Sequence, residues 1–219
     1  MIKLKDILIN LREDIIESDN VISTLESALI PIRKLGNKTL LCRESGGIRS
    51  GAAKVVSGPW DKGKIGMVIN PKSPTYNQQI GELFQKLVAK FGINHIVYAS
   101  HDDSRHGLFG RSYYMIPVGE YKTVWSPKVN DIYADASNLQ KADNLKTFPL
   151  DSYQTTWPTG KVSEVLVDCT EYYLVSLKIP IVKDYMEYSA YKSKAKVVNP
   201  TTYSELADLI DGTLKYFKR

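Results

Sequence analysis

The sequence is short of the residues that would place it in several large classes. It holds two cysteines in 219 residues, too few for a disulfide-stapled scaffold or a four-cysteine zinc site. No apolar run approaches the roughly 20 residues that a membrane helix needs. The opening Met1-Ile2-Lys3-Leu4-Lys5-Asp6 breaks its apolar positions with charge, unlike the core of a signal peptide. A cytoplasmic protein with no membrane partner is therefore expected. Charge of one sign is also scarce. Lys plus Arg number 29 against 24 Asp plus Glu, a surplus of +5 that permits an anionic partner without demanding one. Motifs are missing as well: no GxGxxG after a strand, no Walker loop, no HExxH, no CxxC and no GxSxG.

What the chain has is tyrosine, 14 of them, and a hydrophobic fraction of 43%, enough for an ordinary core. At this length a single domain spanning 1–219 is expected, helical over 1–36 and β-rich over 37–219 with a closing helix. Leu4, Ile7, Leu8, Leu11 and Ile15 recur at helical steps. Val21, Ile22, Leu25, Leu29 and Ile32 resume the pattern after Ser18-Asp19-Asn20, which predicts a helical hairpin. Thr39 to Arg43 reads as a buried strand. Six of the 14 glycines fall between residues 44 and 66, so that stretch reads as a loop or hairpin before an apolar strand at Ile65 to Ile69.

Asn77 predicts the cap of a helix that Gly92 ends. From residue 94 the period shortens to that of strands. Ile96 to Tyr98, Tyr113 to Ile116, Tyr121 to Trp125, Val162 to Val167 and Leu174 to Val182 are the predicted strands. Thr202-Tyr203-Ser204-Glu205 has the form of a capping box and opens a last helix. The expected class is α+β, with the N-terminal hairpin packed on a mainly antiparallel central sheet.

Three clusters are able to carry chemistry. Arg43 ends a buried strand ahead of Gly46 and Gly47, where a guanidinium fork and close-lying backbone amides suit a phosphate; pairing with Glu44 is the plainer reading. His95, His101 and His106 lie with Asp102 and Asp103 in a polar stretch that reads as a turn between strands rather than as metal ligands. The aromatics beside it, Tyr98, Phe109, Tyr113, Tyr114, Tyr121 and Trp125, suit a core or a sandwich around a flat heterocycle. Glu164 heads an apolar strand, where it serves either as a catalytic carboxylate or as an edge charge against aggregation.

Taken in order, Arg43, then Ser100 or Ser126, then Glu164 resembles the Arg–Ser–Glu pattern of ADP-ribosyltransferases. Val124-Trp125-Ser126-Pro127 followed by Val129 to Tyr133 is similar to that family's serine strand running into a short helix. Phe109-Gly110-Arg111-Ser112-Tyr113-Tyr114 is similar to the Gly-and-Tyr strand of its poly(ADP-ribose) polymerase branch. The blocks 95–133 and 164–174 also resemble uncharacterised bacteriophage proteins. The resemblance implies NAD as substrate and a host protein or nucleic acid as acceptor. It further implies Glu164 on the ribose, Arg43 on the pyrophosphate, Ser126 or Ser100 shaping the pocket, and Tyr114 and Trp125 against a ring. No metal is implied. Val162 stands where arginine-directed members carry the first Glu of an ExE pair, so arginine is not the implied acceptor.

Two further readings stand beside this one. A non-enzymatic phage protein, either a virion component or an inhibitor of a host factor, would use the same aromatic surface. A nucleic-acid-binding protein would use the basic loop at 49–64 with tyrosine stacking.

Overall fold

The computed structural model describes residues 14–16, 21–45, 51–59, 76–101, 111–176 and 200–217. It is a mixed α+β arrangement with antiparallel strand pairs. The described residues fall into two compact units. One holds those of Val56–Ser100 and Glu120–Thr170, the other those of Ile15–Val55, His101–Gly119 and Glu171–Arg219.

The second of these is built on a five-stranded sheet. Its strands are β1 (Asp14–Ile16), β2 (Leu41–Ser45), β3 (Ala52–Val56), β5 (Arg111–Val118) and β8 (Glu171–Val175), in the order β1-β3-β8-β5-β2. β5 pairs antiparallel with β2, Leu41 opposite Met115, and with β8, Met115 opposite Leu174. Leu41, Met115 and Leu174 thus form one row, and all three are fully buried. Helix α1 (Val21–Leu35) packs against helix α4 (Tyr203–Phe217) and against β5. Leu25, Ala28, Leu29 and Ile32 of α1 and Leu206, Leu209 and Ile210 of α4 are the buried faces, each set at three- and four-residue steps.

Tyr203 fixes α4 to the sheet. Its hydroxyl donates to the Met115 carbonyl at 2.5 Å and accepts from the Leu41 amide at 3.2 Å. The predicted capping box is present. Thr202 Oγ1 accepts from the Glu205 amide at 3.3 Å, and Glu205 Oε2 accepts from the amides of Thr202 at 3.3 Å and Thr201 at 2.7 Å.

The other unit is a three-stranded antiparallel sheet of β4 (Val97–Ala99), β7 (Val165–Asp168) and β6 (Lys122–Trp125), in the order β4-β7-β6. Helices α2 (Gln78–Phe91) and α3 (Ile132–Lys141) share its core. Ile80, Leu83, Phe84, Leu87 and Val88 of α2 meet Ile132 and Ala136 of α3, with Ile96, Val124, Leu166, Phe148 and Tyr153. Burying each large side chain contributes about 1.5–3 kcal/mol. Asn77 caps α2 as its sequence predicts, accepting from the Ile80 amide, and Gly92 ends it in the left-handed region at φ 59°. Lys122 closes that end by donating to the Phe91 carbonyl at 2.7 Å, a cation where the helix dipole favours one.

Several expectations are corrected. Ile15, expected on a helix, lies in β1; backbone pairing at a sheet edge overrides a local helical period. The rest of the expected first helix, to residue 13, lies outside the described residues, as does the strand expected at Ile65 to Ile69. A single central sheet is replaced by two. The strand expected at Val162 to Val167 begins only at Val165 and runs to Asp168, because Glu164 turns to α3 rather than into the ladder. The strand expected at Leu174 to Val182 starts earlier, at Glu171, where Lys54 and Glu171 pair at 2.7 Å. Its residues beyond 176 lie outside the described residues.

Candidate functional site

A polar corner of the three-stranded unit lies at one end of its sheet. Val165 of β7 faces Ala99 of β4 on one side and Trp125 of β6 on the other. The ladder ends at this row, and Ser100, Glu164 and Ser126 are the next residues of the three segments, with Glu164 turning away to α3.

Glu164 is half-buried, and its Oε1 accepts from the Ile132 amide, the first of α3, at 3.1 Å. Asp131 is the N-cap of the same helix and accepts from the Ala134 amide at 2.8 Å. Asp135 reaches back to the amides of Asn130 at 2.8 Å and Asp131 at 3.4 Å. Three carboxylates thus surround one helix N-terminus, whose unsatisfied amides and positive dipole end favour them.

Ser126 is 3% exposed and its hydroxyl makes two hydrogen bonds. Its oxygen accepts from the Lys128 amide at 3.0 Å and lies 2.6 Å from Ser152 Oγ. Ser152 spends its one proton on the Pro149 carbonyl at 2.6 Å, so Ser126 must donate to Ser152. Ser126 is therefore a buried brace of the turn after β6, and Ser100, next to the end of β4, is half-buried. Trp125 is also spoken for. It is 6% exposed, its indole N–H donates to the Thr156 carbonyl at 2.8 Å, and its backbone pairs with Gln154. It thereby anchors 154–156 to the end of β6.

Tyr153 was invisible in the sequence. Its ring stacks on Phe148, with centroids 6.4 Å apart and planes at 24°. Burial, then the charges of Glu164, Asp135 and Asp131, push its phenol far above the ordinary tyrosine value, so it stays protonated. Nothing local marks Leu150-Asp151-Ser152-Tyr153-Gln154 as part of a site, and no pattern there would have found it.

Arg43 and Tyr114 belong to the five-stranded unit. Arg43 lies opposite Tyr113, while Tyr114 lies opposite Cys42. Adjacent positions of a strand alternate faces, so Tyr113, not Tyr114, shares a sheet face with Arg43. The Arg43 guanidinium stands 5.9 Å from the centroid of the buried Tyr172 ring, within cation–π range. Gly46 and Gly47, expected beside Arg43, lie outside the described residues, as do Asp102, Asp103, His106 and Phe109.

Among the described residues there is no cluster of three or more His, Cys, Asp or Glu placed to hold a metal. Nor is any described helix long and apolar enough to cross a membrane. Comparison with known proteins gives no matching family model, no similar curated protein and no similar solved structure.

Proposed function

We propose that this chain is an ADP-ribosyltransferase-like protein that binds NAD and cleaves its nicotinamide–ribose bond, passing ADP-ribose to a host acceptor or to water. The observation that supports this reading is that Ser100, Glu164 and Ser126, at least 26 positions apart in the chain, directly adjoin the paired residues Ala99, Val165 and Trp125 at the end of β4, β7 and β6.

Cleavage leaves an oxocarbenium-like ribose, as in glycoside hydrolysis. Nicotinamide departs from a cationic state and needs no strong acid. Glu164 would hold the ribose 2′-hydroxyl and stabilise the positive charge as it develops. Asp131 and Asp135 nearby add negative field, which favours a cationic transition state. Ser100 would shape the pocket wall beside it.

The test is release of nicotinamide from NAD by the wild-type protein and by Glu164→Gln. Gln keeps an oxygen for the Ile132 amide and removes the charge. Turnover should fall by about 10²–10³-fold, the size seen when one electrostatic stabiliser is lost, with NAD binding retained. Full turnover in Glu164→Gln, or no nicotinamide release by the wild type, overturns the reading.

A further inference from the structure

Glu164 is tied to the stretch that leads into α3. Its Oε1 accepts from the Ile132 amide at 3.1 Å. Ser163, the residue before it, places its Oγ 3.5 Å from Asn130 Oδ1. Residues 130–132 are therefore joined to 163–164 at two points. That stretch is itself held from within the helix. Asp135 Oδ2 accepts from the Asn130 amide at 2.8 Å and from the Asp131 amide at 3.4 Å. Asp131 caps α3 through the Ala134 amide at 2.8 Å, the ordinary N-cap bond. The Asp135 bonds differ, because they run back past the cap to amides outside the helix. Backbone N–H groups at a helix start have no intrahelical acceptor, so one carboxylate oxygen fixes two amides that the helix itself does not use.

We infer that Asp135 is a positioning residue for Glu164. By fixing the Asn130 and Asp131 amides it sets the place of the Ile132 amide, and through that bond the place of the glutamate carboxylate. The inference rests on the reading of Glu164 as the residue that meets the ribose. Asp135 touches no substrate in this scheme and acts through the turn. A carboxylate here has two things to offer, a field and a brace, and they ask for different atoms. The field needs the charge. The brace needs only an oxygen in the right place, since a carboxamide oxygen accepts from an amide as a carboxylate does. A catalytic group misplaced by about 1 Å loses up to about 10²-fold in rate. Loss of the brace therefore lowers the chemical step and leaves the hold on substrate unchanged.

The experiment compares Asp135→Asn with Asp135→Ala. Both remove the charge, and only Asn keeps an oxygen for the Asn130 and Asp131 amides, so the difference between them reads the brace alone. In nicotinamide release from NAD, kcat of Asp135→Ala should lie about tenfold below that of Asp135→Asn, with KM the same in both. Amide-proton exchange at Ile132, followed by NMR, should be about tenfold faster in Asp135→Ala than in Asp135→Asn. In a Glu164→Ala background, where the Ile132 amide has lost the glutamate, the two variants should exchange alike there. Equal exchange at Ile132 in the two variants overturns the inference, as does a difference that persists in Glu164→Ala. If the wild type releases no nicotinamide, the NAD reading falls and the exchange comparison alone decides the role of Asp135. If the wild type turns over NAD and the two variants share one kcat, the positioning role falls and the NAD reading stands.

Discussion

Ser126 donates its hydroxyl proton to Ser152, 2.6 Å away, because Ser152 has already given its own to the Pro149 carbonyl. The direction of that one bond decides what Ser126 is for. A hydroxyl that is buried, donates once and accepts from Lys128 has no proton left to give a ligand. It ties the end of β6 to the turn before Tyr153, and so holds the glutamate's neighbours in place.

The first prediction separates bracing from catalysis at this pair. Ser152→Ala leaves the Ser126 donor buried without its acceptor and should cost about 1–3 kcal/mol. Ser126→Ala removes the donor and leaves Ser152 bound to Pro149, so it should cost less, about 1 kcal/mol. Denaturant unfolding of the two variants checks the order. If Ser126→Ala abolished NAD cleavage while changing stability little, Ser126 would be a ligand contact and the bracing role would fall.

The second prediction concerns the packing at the start of α2. Gly81 lies in the first turns of that helix, and an ideal Cβ built on it would overlap the Tyr76 ring. The glycine therefore makes room for an aromatic against the helix backbone. Gly81→Ala should destabilise by about 1–3 kcal/mol through overpacking. In a Tyr76→Ala background the same change should become neutral or stabilising, since Ala is the better helix former by up to about 1 kcal/mol. A thermal melt of the four proteins reads the reversal of sign. The same loss in both backgrounds would mean that the backbone, not Tyr76, excludes the methyl.

Much of the local structure was readable in the residues themselves. Asn77, Gly92 and the Thr202–Glu205 pair act within one helical turn, so the sequence window that shows the signal also contains its physical cause. The strand at Tyr113 to Ile116 was readable because alternation and tyrosine content need no partner to be seen. The division into two sheets was not, because it depends on which strand pairs with which. Ile15 shows the limit from the other side: its helical spacing is real, yet backbone pairing places it in β1. At the candidate site Glu164 stood out as a charge before Val165-Leu166-Val167. The engagement of Ser126 was hidden, since only the Ser152 side chain, 26 residues away, shows it. Tyr153 was hidden altogether, because its burial against Phe148 is set by packing in three dimensions.

The last prediction is a pH dependence at the start of α4. Glu205 accepts from the Thr201 amide and hydroxyl and from the Thr202 amide, and these bonds favour its ionised form, lowering its pKa below the ordinary glutamate value. A carboxyl whose pKa is lower folded than unfolded binds fewer protons in the native state. Its contribution to stability is therefore present in full above the unfolded value and is lost as pH falls through the folded one. Wild type and Glu205→Ala should differ in Tm at neutral pH, with the wild type higher. The gap should narrow as pH drops below the ordinary glutamate range and should not change between pH 6 and 8, where the group is ionised in both states. Added salt should shrink the gap little, because the partners are backbone and hydroxyl donors rather than a screened cation. Parallel Tm curves for the two proteins down to the acid limit would show that Thr202, accepting from the Glu205 amide, caps α4 without the carboxylate.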